Sequence, residues 1–383
     1  MNKSFIFILT LIIISILLTG CWNYREIDKL AIVSGVAVDK PSSNEGYEVT
    51  AEVINVSSSM REPKFNSTRI ESRGASIFDS MRNIINVSAK QLFWSHSSII
   101  IVSEDIAKEG ILPILDWVTR NSEPRLSTYI LVSEAQNARD ILSSQSLTTE
   151  IRSFEIQEMI ISNNKLAKIP NIQIYELNNQ LAAKGINPVI PTIKIVINEN
   201  EPTMVLSGGA VLNKDKLAGY ISLEDVKYYL FTRDKIKEGL LVTNLDNEDP
   251  KEKVTLEIYK NRTKVTPVIS NGKLSMNIKI SAEVSIEESS SSIDALNENV
   301  IQHIKLNAEK SLKNNVLRVI SNVQNDFELD IFGFGQIVKE EMPKVWKDVE
   351  DNWDEIFKEL KVNVDTDIHI RSSGHLSGTI KKR

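Results

Sequence analysis

The first residues of the chain constrain the rest of it most. A short polar start with one basic residue, Lys3, is followed by an apolar run from Phe5 to Leu18 that only Thr10 and Ser15 interrupt. The run is too short to cross a bilayer, which takes about 20 apolar residues, and its layout is that of a secretory signal peptide. The sequence therefore predicts an export signal over residues 1–20 and a folded protein after it.

The residues that end this run predict an anchor for the mature chain. Leu18, Thr19, Gly20 and Cys21 resemble the bacterial lipobox, in which the thiol receives a diacylglyceryl group and cleavage falls between Gly20 and Cys21. Cys21 is the only cysteine among 383 residues, so no internal disulfide is possible. Two acyl chains hold a protein stably on a membrane. An uncleaved anchor helix is the alternative, and it predicts the same side of the membrane.

Charge adds little to this attachment. The chain has 45 Lys plus Arg against 51 Asp plus Glu, a formal charge of -6, and no basic stripe recurs along it. Nucleic-acid binding is therefore not expected, and the overall balance gives no attraction to anionic lipid. We expect the membrane contact to depend on Cys21.

Strand and helix patterns alternate in the first half. Leu30–Val38 and Tyr129–Val132 are apolar on both faces, as in strands covered on both sides, and helical periods separate such strands. This predicts βαβ crossovers and a partly parallel sheet. We therefore expect an N-terminal α/β domain over residues 21–200, with a linker at 198–202.

Two details of this half are also predicted from polarity. The strand that starts at Tyr47 alternates apolar residues with Glu48, Thr50 and Glu52, which predicts one face exposed to water. The polar segment 55–68 is expected to be a loop.

The second half has a different pattern. Residues 274–286 alternate apolar and polar without a miss after Asn271-Gly272, which predicts a hairpin with a type I′ turn. A long helix is expected over about 293–323, with Ser291 and Asp294 resembling a capping box. A further helix over 343–360 and a strand over 361–370 follow. We expect a C-terminal α+β domain over 201–375, an antiparallel sheet packed on the long helix, subdividing near 245–252, and a polar tail over 376–383.

Residues that could carry catalysis are scattered. The four histidines, His96, His303, His369 and His375, lack metal-ligand spacing, and His96 is interpreted as a hydrogen-bonded structural residue. Two acidic groups, residues 246–249 and Asp365 with Asp367, do not match the EF-hand spacing. Gly333-Phe334-Gly335 is interpreted as a tight turn, and Trp346 and Trp353 as core residues. No catalytic, cofactor-binding or metal-binding residue is predicted, and we expect no enzyme.

Short matches along nearly the whole mature chain resemble the Ger(x)C spore germination lipoproteins, the C subunits of nutrient germinant receptors. They are Cys21-Trp22, Arg25-Glu26-Ile27, Leu30, Leu92-Phe93, His96, Ile106-Ala107, Gly110-Ile111, Leu115-Asp116, Arg120, Glu123, Arg125, Gly209-Ala210-Val211, Asp215-Lys216-Leu217, Gly219, Asp330, Phe332-Gly333-Phe334-Gly335, Pro343, Trp346 and Trp353. Asn23 and Ala218 depart from the family pattern.

The resemblance implies a multi-domain α/β lipoprotein on the outer face of the spore inner membrane. It implies action with an A subunit and a transporter-like B subunit to start germination when a nutrient is sensed, without a cofactor. The alternative is a lipid-anchored solute-binding protein, which needs a cleft with convergent polar groups between two similar lobes. A cell-wall hydrolase is a third class, and it lacks a catalytic constellation.

Overall fold

The structure is a computed structural model of the chain and describes residues 3–8, 10, 29–43, 45–57, 64–244, 252–289 and 297–372. These residues form two β-sheets with helices packed on them. The strands, numbered along the chain, are β1 (Leu30–Asp39), β2 (Tyr47–Ser57), β3 (Lys64–Gly74), β4 (Gln91–Phe93), β5 (Ile99–Ser103), β6 (Tyr129–Ser133), β7 (Val189–Asn198), β8 (Glu201–Asn213), β9 (Lys216–Ser222), β10 (Gly239–Asn244), β11 (Lys253–Ser270), β12 (Lys273–Ser289) and β13 (Lys361–Ser372).

The helices connect these strands or cover them. They are α1 (Ile77–Asn83), α2 (Glu104–Glu109), α3 (Leu112–Arg120), α4 (Ala138–Ser143), α5 (Arg152–Ser162), α6 (Ile174–Ala182), α7 (Leu223–Thr232), α8 (Glu298–Asp326), α9 (Phe334–Glu341), α10 (Pro343–Val349) and α11 (Trp353–Lys358). Short 3-10 turns follow α1, α5 and α10.

The first sheet is mixed and has the strand order β3-β2-β1-β5-β6-β7-β8-β9, with β4 paired to the start of β1. β1, β5, β6 and β7 run parallel, whereas β2–β3 and β8–β9 pair antiparallel at the two sides. α2 and α3 connect β5 to β6, and α4 to α6 connect β6 to β7. The predicted βαβ units and the central position of β1 are confirmed.

Apolar side chains on the two faces of this sheet belong to separate cores. Val36 and Ile100 pack on one face with α1, α2, α3 and α6, whereas Ala37 and Ile101 pack on the other face with α4 and α5. Strands covered on both faces are apolar at every position, which is the pattern predicted for β1 and β6. The fold of the first half follows from this double covering.

Two predictions for β2 and β3 are wrong. Glu48, Thr50 and Glu52 are buried, with exposures of 6%, 0% and 0%, because α4 and α5 begin on that face. Arg139 of α4 donates from Nη1 to Glu48, and the amide of Arg152 at the start of α5 donates to Glu52. Of the predicted loop over 55–68, residues 55–57 belong to β2 and residues 64–68 to β3, whereas residues 58–63 lie outside the described part of the chain. β3 is an edge strand of the sheet, so its outward face can be polar.

The prediction of a linker at 198–202 is also wrong, because these residues form the turn of a β-hairpin. Asn198 pairs with Glu201 across a tight turn in which Glu199 and Asn200 adopt positive φ angles. β8 and β9 then extend the first sheet past residue 200. The division into folding units at that residue stays a prediction.

The second sheet has the order β10-β11-β12-β13. Its first three strands are antiparallel as predicted, but β13 runs parallel to β12. The turn between β11 and β12 has φ angles of 51° at Asn271 and 75° at Gly272, which confirms the type I′ hairpin. The predicted acidic loop at 246–249 lies outside the described residues.

The long helix α8 packs along this second sheet. It has 29 residues and is about 44 Å long at 1.5 Å per residue. The side chain of Asn297 caps it by accepting from the amide of Asn299 at 3.0 Å. The predicted capping residues Ser291 and Asp294 lie outside the described part of the chain. Beyond it, the predicted helix over 343–360 is divided into α10 and α11 by a 3-10 turn.

A third core joins the two sheets. It contains the inner face of β11 and β12, the buried side of α8, and the aromatic residues Trp346 and Trp353, whose predicted core positions are confirmed. Val189 and Val211 of the first sheet pack in the same cluster. The two halves of the chain therefore share apolar packing.

Candidate functional site

The predicted lipidation residue Cys21 and its cleavage site after Gly20 lie outside the described residues, and lipidation stays a prediction. At the start of the chain, residues 3–8 and 10 are described, and they are helical. Within the described part of the chain, no helix combines the length and apolarity needed to cross a membrane.

The three histidines that the structure describes are on the surface. His96, His303 and His369 are exposed, and the ring of His96 lies 6.0 Å from that of Phe93. The structure places His96 at the surface, directly before the buried Ser97, and its interpretation as a hydrogen-bonded structural residue stays a prediction. His375 lies outside the described residues.

The acidic pair on β13 is solvated. Asp365 and Asp367 are exposed, and Asp367 Oδ1 lies 3.3 Å from Lys305 Nζ. Among the residues that the structure describes, no three His, Cys, Asp or Glu side chains converge as metal ligands.

The most constrained polar group in the second half is Asp330, which lies between α8 and α9. Its side chain is fully buried and accepts the amides of Gly333 and Gly335, each at 2.8 Å. Trp353 Nε1 of α11 donates to the same carboxylate at 3.0 Å. Gly333 adopts φ 74° at the start of α9, so the predicted tight turn is the N-cap of a helix. Asp330 thus binds the first turn of α9 and fixes α11 beside it.

This turn also contacts the first half of the chain. The amide of Asn187 donates to the carbonyl of Asp330 at 2.7 Å, and the amide of Gln336 donates to the carbonyl of Gly185 at 3.1 Å. A Cβ atom on Gly335 would lie 2.6 Å from Gly185 Cα, closer than side-chain carbons pack. We call Gly185, Asn187, Asp330, Gly333, Gly335 and Trp353 the junction site. Glycine is needed here because two backbones touch.

Burial determines the acidity of this carboxyl group. Desolvation raises the pKa of Asp330 from 3.8 to about 6, against the opposing effect of the amide and indole donors. The group is therefore charged at neutral pH and takes up a proton under mild acidification.

Two further buried carboxylates bind helix N-termini in the first half. Glu52 on β2 accepts the amides of Arg152 and Ser153 at 3.0 and 2.9 Å, where α5 begins. Asp39 at the end of β1 accepts the amides of Ala138 and Arg139, where α4 begins, at 2.6 and 3.0 Å. Carboxylates are favoured at helix N-termini because the first amides have no partner within the helix. The alternating pattern of β2 gave no signal for this role of Glu52.

A cleft of ≈ 290 Å³ lies between α6 with the segment before it in the first half and α7 with the segment after it in the second half. Tyr175, Glu176 and Arg233 are among its lining residues. Arg233 is already engaged, because Nη1 donates to the carbonyl of Phe332 at 2.7 Å. The ammonium of Lys235, which also lines the cleft, lies 3.6 Å from Glu176.

These arrangements hold structure rather than present reactive groups. The carboxylates of Asp39, Glu52 and Asp330 are each covered and bonded to backbone amides, whereas a general base must reach a proton on a substrate. The geometry can orient helices and can join the two halves of the chain.

Family models match both halves of the chain. The model described as "Spore germination protein N-terminal domain" matches residues 23–195, and the one described as "Spore germination B3/ GerAC like, C-terminal" matches residues 207–374. The junction site therefore contains residues from both matched regions.

Similar proteins span the same length. Spore germination protein KC of Bacillus subtilis (strain 168) is 24% identical over 96% of this chain and 95% of its own. Spore germination protein B3 of the same organism is 23% identical over 93% and 95%. The crystal structure of the GerBC protein superposes with a TM-score of 0.57 at 20% identity and covers 88% of this chain and 96% of that one. That likeness shows a shared fold.

Proposed function

The chain belongs to the Ger(x)C family of spore germination proteins, and on that premise we propose that it is a lipid-anchored, non-enzymatic subunit of a nutrient germinant receptor. In this proposal Cys21 carries the lipid, and the chain works on the outer face of the spore inner membrane. Membrane-embedded A and B subunits are its partners in triggering germination.

The observation that carries the proposal is the extent of the family match. Two family models cover residues 23–195 and 207–374 in order, and full-length relatives named as spore germination proteins align end to end. A shared single domain on a different architecture does not produce such coverage. The proposed role therefore concerns the whole chain.

Two features support a role in binding rather than catalysis. The buried carboxylates bind backbone amides, and the convergence of the two halves at the junction site forms a shared core. A chain that couples a membrane anchor to partner proteins needs rigid contact between its halves, because a flexible joint transmits little. The working surfaces in this proposal are protein interfaces.

Replacing Cys21 tests the anchoring part. In cells that lack the A and B subunits, Cys21→Ala, given an export signal whose cleavage does not require the lipid, should move the chain from the membrane fraction to the soluble fraction, because the lipid attachment atom is gone. Asp365→Ala, an exposed change on β13, is the matched control and should stay in the membrane fraction. Retention of Cys21→Ala at the control level would contradict lipid anchoring.

The solute-binding alternative has its own measurement. The cleft between α6 and α7 has charged groups in its wall. The Arg233 guanidinium already donates to the Phe332 carbonyl, and the Lys235 ammonium lies 3.6 Å from Glu176. We expect calorimetry of the purified chain with germinant nutrients to show no heat of binding. A saturable signal that Arg233→Ala abolishes would favour the alternative.

A further inference from the structure

A cleft of ≈ 720 Å³ lies between α1 and α3 on the first half of the chain. Three aromatic residues line it: Tyr47 of β2, Phe78 of α1 and Trp117 of α3. Phe78 is 47% exposed and lies at the rim, whereas Trp117 is 7% exposed and lies in the floor. A concave site of this volume with aromatic walls suits a drug-sized ligand. We call this cleft the helix groove.

Arg82 gives the helix groove a positive charge that the rest of its lining does not balance. Its guanidinium lies over the ring of Phe78, 5.0 Å from the centroid, and no carboxylate of the described residues forms an ion pair with it. The other two charged lining residues, Asp116 and Arg120 of α3, bind each other at 2.7 Å. A guanidinium binds a carboxylate through two parallel hydrogen bonds. The charge of the groove therefore favours an anionic occupant.

The floor of the helix groove holds a buried donor that has no acceptor. Nε1 of Trp117 finds no hydrogen-bond partner in the part of the chain that the structure describes. Its ring packs edge-on against that of Trp94, with centroids 5.2 Å apart, and both rings belong to the apolar core of this face. Buried donors in proteins are nearly always paired. Because Trp117 has core residues on its other sides, the groove is where an outside acceptor approaches it.

We infer that the helix groove binds a short segment of a protein partner, in which a carboxylate stands beside a large apolar side chain. The carboxylate pairs with Arg82, and the apolar side chain packs against the aromatic wall. The groove follows α3 from Pro113 to Arg120, which is about 10 Å and matches about three extended residues. This inference rests on the proposed function, which supplies protein partners, and it adds the place where one of them docks.

Photocrosslinking from the rim of the helix groove tests this docking. The full chain, with p-benzoylphenylalanine in place of Phe78, is expressed together with the A and B subunits, and the membranes are irradiated. Mass spectrometry then identifies the crosslinked peptides. We expect one segment of a partner subunit, with Asp or Glu within about two residues of the crosslinked position. The same probe in place of Tyr259, which is 52% exposed on β11, is the control and should not give this product.

Charge exchange tests the role assigned to Arg82. Arg82→Glu should lower the crosslinked yield at position 78 at least about tenfold, because it places two carboxylates against each other. Replacing the mapped carboxylate of the partner with Lys should restore the yield in that variant. Arg262→Glu, which reverses an exposed charge on β11, is the matched control and should leave the yield unchanged.

The outcomes separate this inference from the proposed function. If the A and B subunits copurify with the chain but position 78 gives no partner crosslink, the docking is wrong and the receptor role stands. If they do not copurify, the receptor role fails and the docking fails with it. A partner crosslink that Arg82→Glu leaves unchanged, or a crosslink to lipid alone, also overturns the inference.

Discussion

Removing the carboxylate of Asp330 is the sharpest test of the junction site. In Asp330→Ala, the amides of Gly333 and Gly335 and the indole N–H of Trp353 lose their common acceptor, at 2.8, 2.8 and 3.0 Å. The site is fully buried, so bulk water does not replace the carboxylate. Each unpaired buried donor costs about 1 kcal/mol or more, which gives a loss of about 3 kcal/mol in the free energy of unfolding.

Urea denaturation measures this loss on the chain without residues 1–21, which retains all three cores. Tryptophan fluorescence is a suitable signal, because Trp346 and Trp353 are buried beside the carboxylate with ring centroids 5.4 Å apart. The matched control Asp365→Ala removes an exposed carboxylate from β13 and should change stability by less than about 0.5 kcal/mol. If Asp330→Ala is as stable as this control, the carboxylate does not hold α9 and α11, and the reasoning is refuted.

Three other predictions concern the junction site and the buried carboxylate of Glu52. The pKa of Asp330 is about 6 in the folded chain against an ordinary value of 3.8, so protonation of this group contributes to the free energy of unfolding fully below about pH 3.8, and that contribution is lost as pH rises through 6. Lowering the pH from 7 to 5 should therefore add about 1.3 kcal/mol to the free energy of unfolding through this group. Paired urea titrations of Asp330→Asn should lack this increment. Gly335→Ala should lower the free energy of unfolding by about 1–3 kcal/mol and lower the melting temperature, because the new Cβ would lie 2.6 Å from Gly185 Cα. The control Gly272→Ala should lower stability less, because no atom lies within 4 Å of its Cβ and only its positive φ must be accommodated. Equal losses in the two variants would contradict the close contact. Glu52→Gln should lower the free energy of unfolding by about 2 kcal/mol and speed hydrogen exchange of the Ser153 amide, because an NH₂ group replaces one of the two acceptor oxygens. Unchanged exchange would show that Glu52 does not cap α5.

The spacing of apolar residues along the chain predicts most of this fold, because burial of apolar side chains determines which residues form helices and strands. β1 and β6 are covered on both faces and are apolar throughout, and β12 is covered on one face and alternates. The hairpin turn at Asn271-Gly272 is equally local, since its positive φ angles suit those two residues. Predictions of this kind need only neighbours in sequence.

The failures come from partners distant in sequence. Glu52 is 101 residues from Ser153, so the alternating pattern of β2 cannot distinguish a buried helix cap from a wet face. β3 is polar because it lies at the sheet edge, and strand order is not visible in a single segment. The sequence places Asp330 next to the Phe332-Gly333-Phe334-Gly335 motif, but the role of its carboxylate depends on the distant Trp353 and on the close contact between Gly335 and Gly185.

Membership of a receptor complex is the central claim, and a crosslinked pull-down from dormant spores tests it most directly. The chain is captured from the spore membrane fraction after crosslinking, and the retained proteins are identified by mass spectrometry. We expect the multi-spanning A and B subunits that are encoded beside this chain to be recovered with it. Recovery of this chain alone, under conditions that preserve a known germinant receptor, would contradict the claim.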